Sequence, residues 1–209
     1  MANEQIDLMK LFSQVTKTVK KNQTNLNQAD DYNHDHGDNM VEIFEVITQA
    51  MKAKKNAPPA DQLEYAAQLL RGKSQSGSAS LYANGLEQAA KQVLGKNVDA
   101  GTVVTILQSL MGGGTAPQKA AEGGDMVSTL LGQLSGAGSG DAGQGLDLGS
   151  LVSAGMGYMA AKQGGKSDLE ALTGALLSGS QMAQTPHRAQ SGELVASTLL
   201  KSLSGMLAK

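Results

Sequence analysis

The residues with the most chemistry in this chain lie side by side: Asp30-Asp31-Tyr32-Asn33-His34-Asp35-His36-Gly37-Asp38-Asn39-Met40. From Asp30 to Asn39 there are four Asp, two Asn and two His. Carboxylates this close suit a hard cation such as Mg2+, whose remaining positions go to water and phosphate oxygens. The two histidines extend the range to Mn2+, Zn2+ or Ni2+. A strong apolar helical pattern begins at Met40, so backbone N–H groups at that helix start can face an anion. The same residues also describe a solvated acidic turn with Asp38 as the helix N-cap. Composition leaves both readings open.

Several other chemistries are excluded or unsupported. The chain of 209 residues has no Cys, so disulfides, thiolate catalysis and cysteine-bound metals are absent. Lys+Arg 17 against Asp+Glu 19 gives a net charge of −2, which does not favour a polyanion partner. Aromatics are 3% with no Trp, too few for a base-stacking platform, so no nucleic-acid partner is expected. Gly138 to Gly143 spells G-x-G-x-x-G, but no strand precedes it, and it reads as a loop. No G-x-S-x-G in a strand–turn–helix setting marks a nucleophilic serine. His187 and Arg188, beside Pro186, read as part of a polar surface loop from Gln181 to Ser191. The first residues lack an apolar signal-peptide core, and no run of 18 apolar residues occurs. A soluble, cytoplasmic chain without a membrane span is the expectation.

The elements that must position these residues are helical, and the chain reads as one all-α domain over 1–209. Leu8, Phe12, Val15 and Val19 share one helix face. Met40, Ile43, Phe44, Ile47 and Met51 form a second stripe, stopped by Asn56-Ala57-Pro58-Pro59. Asp61 is the expected cap of a short helix through Leu63, Leu69 and Leu70, with Gly72 as its stop. Tyr82 to Leu94 follows, ended by Gly95. Asp99 caps Val103 to Leu110, ended by Gly112. Further helices are expected over 126–134, 148–159 and 167–177, the last opened by the capping box Ser167 to Glu170. A final helix is expected from Glu193 to Leu207. The total is eight or nine helices, and short connections favour antiparallel neighbours.

The acidic stretch resembles the nucleotide-binding L subunit of dihydroxyacetone kinase, a family with the pattern L-D-x-x-x-G-D-x-D-H-G-x-N-M. Asp35-His36-Gly37 and Asn39-Met40 match it residue for residue. Ser78, Leu81 and Tyr82 keep their places in the family's later Gly/Ser turn, G-G-x-S-G-P-L-[FY]-G. Gly123-Gly124-Asp125-Met126 is similar to its P-G-D-K-T-M-x-D segment without the Lys-Thr pair. Gln190-Ser191-Gly192 stands where the family has a D-P-G turn before its last helix.

The resemblance implies an antiparallel eight-helix barrel with Mg2+-held ADP or ATP at one end. It implies metal ligation by Asp35, with Asn33 as a weak ligand; Asp30 or Asp31 could substitute through a local register shift. His36, Asn39 and Ser78 would orient the phosphates. Only one of the family's three metal-binding aspartates survives, at Asp35; the other two fall on Gln28 and Asn33. Ligand charge tunes affinity at oxygen sites, so a divergent, inefficient member is the leading expectation. A partner kinase or phosphotransferase subunit goes with that reading. The alternatives are an active Mg-dependent phosphotransferase subunit, and a scaffold or lipid-binding protein. For the last, a barrel lumen lined by Met, Leu, Ala and Gly would hold an apolar ligand.

Overall fold

Asp7 opens the first helix. Its carboxylate accepts from the backbone N–H of Met9 at 2.9 Å and of Lys10 at 3.3 Å. In the computed structural model, residues 6–112 and 180–207 are described, together with 171, 173, 174 and 177. Six α-helices lie in these residues: α1 (Leu8–Gln28), α2 (His36–Ala53), α3 (Pro59–Lys73), α4 (Gly77–Gln92), α5 (Ala100–Leu110) and α6 (Pro186–Leu207). A short 3-10 turn, Gln181–Gln184, precedes α6. There is no strand among the described residues.

Each helix packs on the next in chain order, and α6 returns to α1, so the described helices close a circuit. The stripes read from the sequence form its interior. Phe12, Val15 and Val19 of α1, and Met40, Ile43, Phe44 and Ile47 of α2, are 1% exposed or less. Burying side chains of this size contributes about 1.5–3 kcal/mol each. Phe44 meets Tyr82 of α4 edge to face, with ring centroids 5.1 Å apart, a geometry that suits the ring quadrupoles. Thr16 ties α1 to α2, donating towards the Phe12 and Phe44 carbonyls and sharing a 2.8 Å contact with the Thr48 hydroxyl.

The boundaries differ from expectation where backbone chemistry outweighs the apolar pattern. α3 starts at Pro59, not at Asp61, because proline at a first helical position sacrifices an N–H that has no partner anyway. Gly72 does not stop it, and the helix continues through Lys73. α4 starts at Gly77, because the Ser76 hydroxyl caps the Ala79 N–H at 3.1 Å. Asp99 caps α5 as expected, accepting from Thr102 N–H at 2.7 Å.

The largest correction is α6, which starts at Pro186, about two turns before Glu193. Thr185 is extended (φ −134, ψ 144), as a residue before proline prefers, and Pro186 supplies the helical φ. His187 and Arg188 are therefore helical and not a surface loop. Gln190-Ser191-Gly192 lies inside the helix and forms no turn. The helices expected over 126–134 and 148–159, the 138–143 glycines and Gly123 to Met126 lie outside the described residues. So do Ser167 to Glu170, whereas Ala171, Thr173, Gly174 and Leu177 are helical.

Candidate functional site

Between α1 and α2 the chain turns through residues 29–35. His34 sits at φ +58, a left-handed conformation that few residues other than glycine adopt. The turn directs Asp30 inward, where it is 4% exposed and accepts from Tyr32 N–H at 3.1 Å. A carboxylate bonding the backbone two residues on stabilises such a turn locally.

The start of α2 is capped from a neighbouring helix. Asp38 is not the N-cap, and Asp35, which holds that position, makes no side-chain cap bond. Asn27 of α1 does the work instead: its Oδ1 accepts from Gly37 N–H at 2.6 Å and Asp38 N–H at 3.2 Å. Asp38 in turn accepts from the side-chain amides of Gln23 and Asn27. The helices approach so closely that a Cβ at Gly37 would collide with the Gln23 carbonyl oxygen. Two of the N–H groups that were expected to face an anion are thus occupied by Asn27.

The expected site residues separate into three groups. Asp35 accepts from the Asn39 side-chain amide at 2.7 Å, which ties these two together across one helical turn. Asn33 is exposed. Asp30 and His36 are buried, as is Ser78, the second residue of α4. No three His, Asp or Glu side chains converge as metal ligands among the described residues.

What gathers around Asp30 and His36 is the first turn of α6. The rings of His36 and His187 meet edge to face, with centroids 4.7 Å apart. His36 Nε2 lies 2.9 Å from Ser191 Oγ, and that hydroxyl donates to the Arg188 carbonyl at 3.0 Å. The Ser191 hydroxyl thus bridges the His36 ring and the α6 backbone. Asp30 Oδ1 lies 3.8 Å from His187 Nδ1, while His187 Nε2 lies 3.3 Å from the Thr185 hydroxyl. The Arg188 guanidinium reaches the start of α4, where a Cβ on Gly77 would lie 2.8 Å from Nη2. Its Nε is buried and has no hydrogen-bond partner among the described residues. The N-termini of α2, α4 and α6 therefore meet at one pole.

The charges at this pole are set by their surroundings. Burial lowers His36 most, His187 beside it adds to that, and Asp30 opposes it; the imidazole is held down at about 4. Burial raises the Asp30 carboxyl, but the Tyr32 N–H and the nearby His187 and His36 outweigh it, and the group ends below its ordinary value. At neutral pH the described residues of the pole include a neutral His36, an ionised Asp30 and a permanent cation, Arg188. The α4 N-terminus adds partial positive charge beside that cation.

Sequence reasoning missed His187, Arg188 and Ser191. The available signal was Thr185-Pro186, an extended residue followed by a helix-starting proline. A surface recess of about 370 Å3 between α3 and α4 lies elsewhere and is lined in part by Ala60, Ala67, Ala90 and Leu94. Its cations are already paired, since Arg71 and Lys91 both bind Glu87. No described helix is long and apolar enough to cross a membrane. No protein-family model, curated protein or solved structure matches the chain.

Proposed function

We propose that the pole formed by the Asp30 turn and the starts of α4 and α6 binds a phosphoryl group. The ligand is phosphate or the phosphates of a nucleotide such as ADP or ATP. The observation that carries this reading is Arg188. A guanidinium whose Nε is buried without a partner forgoes a hydrogen bond, and leaving a buried donor unmet costs about 1–3 kcal/mol. Its planar fork matches phosphate oxygens, and it points at the helix start that carries Ser78.

On this reading the chain is a divergent relative of the dihydroxyacetone kinase L subunit, with an eight-helix barrel as its complete fold. The closed circuit of described helices supports that architecture. Efficient phosphoryl transfer from a nucleotide relies on metal ions to neutralise developing charge. The donors here do not fit that role: Asn33 is exposed while Asp30 is buried, and no three His, Asp or Glu side chains converge among the described residues. The proposed activity is therefore binding, in company with a partner subunit, and no step passes through Mg2+.

Thermal melting with orthophosphate and with ADP, each with and without Mg2+, tests it. A ligand at about 100 times its Kd stabilises by about 2.7 kcal/mol, which is several degrees for a chain of this size. The shift should appear without Mg2+ and disappear in Arg188→Gln. No shift with either ligand defeats the reading.

A further inference from the structure

We propose that His187 is a nucleophile that accepts a phosphoryl group at Nε2. The proposal rests on the phosphoryl-binding reading of this pole and names the chemistry that follows from it. The carrying observation is the placement of the imidazole between a carboxylate and a hydroxyl. Asp30 Oδ1 faces Nδ1 at 3.8 Å, and Thr185 Oγ1 faces Nε2 at 3.3 Å. The negative charge of Asp30 beside Nδ1 favours the tautomer with its hydrogen there, which leaves the Nε2 lone pair facing the Thr185 hydroxyl. A carboxylate behind an imidazole fixes its tautomer and stabilises the cation formed when the other nitrogen reacts. The side chain is 22% exposed, so a small donor can reach it. The Arg188 guanidinium, one residue on, supplies a positive charge for the incoming phosphoryl oxygens.

The other histidines provide an internal contrast, because the chain has only three. His36 is 4% exposed, and its Nε2 is covered by the Ser191 hydroxyl at 2.9 Å, so a donor cannot reach it there. His34 is exposed, and its Nδ1 is 3.4 Å from the Asn27 carbonyl oxygen. It has no ion pair with a carboxylate among the described residues. If exposure governed reactivity, His34 would react first. If positioning governs it, His187 reacts first.

The step balances with a donor that carries a reactive phosphorus–nitrogen or acyl-phosphate bond. With phosphoramidate, the Nε2 lone pair attacks phosphorus and forms a nitrogen–phosphorus bond. The donor's own phosphorus–nitrogen bond breaks, and its nitrogen leaves as ammonia with the protons it already bears. The ring keeps its hydrogen on Nδ1 and becomes an imidazolium, whose charge the Asp30 carboxylate offsets.

The full-length chain is incubated with phosphoramidate without metal. The adduct is located by tandem mass spectrometry, and its acid lability is followed by phosphorus NMR. An acid-labile label on His187 in excess of His34 is expected. It should vanish in His187→Gln and form more slowly in Asp30→Asn, which removes the charge beside Nδ1. Circular dichroism melts establish that each variant is folded, and orthophosphate binding is measured on the same samples. Labelling of His34 before His187, an acid-stable label on Thr185, or no label overturns the proposal. If orthophosphate binds through Arg188 but His187 stays unlabelled, this inference falls and the binding site stands. If orthophosphate does not bind, the binding reading falls, and only selective His187 labelling would sustain the nucleophile.

Discussion

His36 makes the stability of this protein depend on pH in a way that can be worked out beforehand. An imidazole in an unfolded chain titrates near 6.5, whereas His36 in the folded chain is held at about 4, first by burial and then by His187. Above pH 6.5 the group is neutral in both states and contributes nothing to the pH dependence. As the pH falls below 6.5 the unfolded chain takes up a proton that the folded chain refuses, and stability is lost. The loss continues until the pH reaches about 4, where the folded state accepts the proton too. At about 1.4 kcal/mol per tenfold in proton affinity, the full effect is about 3 kcal/mol. Between pH 7 and pH 5 it is about 2 kcal/mol. The assay is urea unfolding of the wild type and His36→Gln at both pH values. Glutamine keeps an amide donor for Ser191 and removes the titration. The wild type should lose about 2 kcal/mol more than the variant over that interval. Equal losses would show that His36 accepts its proton freely in the folded state, and the buried, neutral imidazole would have to be abandoned.

Three further outcomes follow from particular contacts. Asn27→Ala removes the cap shared by Gly37 and Asp38 N–H; the cost should be about 2 kcal/mol, read as a fall in Tm of several degrees, and an unchanged Tm refutes the cross-helix cap. Tyr82→Phe deletes a fully buried hydroxyl that has no partner among the described residues; it should be neutral or stabilise by about 1 kcal/mol, and a destabilisation in denaturant melts would mean that the hydroxyl is satisfied in solution. Gly77→Ala places a methyl group 2.8 Å from Arg188 Nη2 and must displace the guanidinium; orthophosphate affinity should fall while the melting curve stays near that of the wild type, and unchanged affinity separates Arg188 from the phosphate site.

How much was legible beforehand depends on the range of each interaction. The all-α class and the buried stripes of α1 and α2 follow from residue order, because helical periodicity is local and Phe12, Val15, Ile43 and Ile47 repeat at its spacing. The cap at Asp99 was legible for the same reason: donor and acceptor lie three residues apart. The starts of α3 and α6 were local too, but an apolar pattern ranks Leu63 and Leu194 above the prolines that begin those helices.

The site was visible only as an inventory of polar residues. Nothing in the order of Asp30 to Asn39 says that Asp35 will bond Asn39, that Asn33 will face solvent, or that Asp30 will turn inward. Nor does it say that Asn27, ten residues earlier, will fill the start of α2. Asp30 is held partly by the nearby Tyr32 N–H, but the partner of His36 comes from 155 residues away, where α6 returns to α1 and brings Ser191, His187 and Arg188 with it. Local order determined which residues were able to bear charge and which faces were apolar. Tertiary packing decided which of those charges meet, because burial and proximity, and not residue type alone, set where an imidazole titrates and whether a guanidinium is left without a partner.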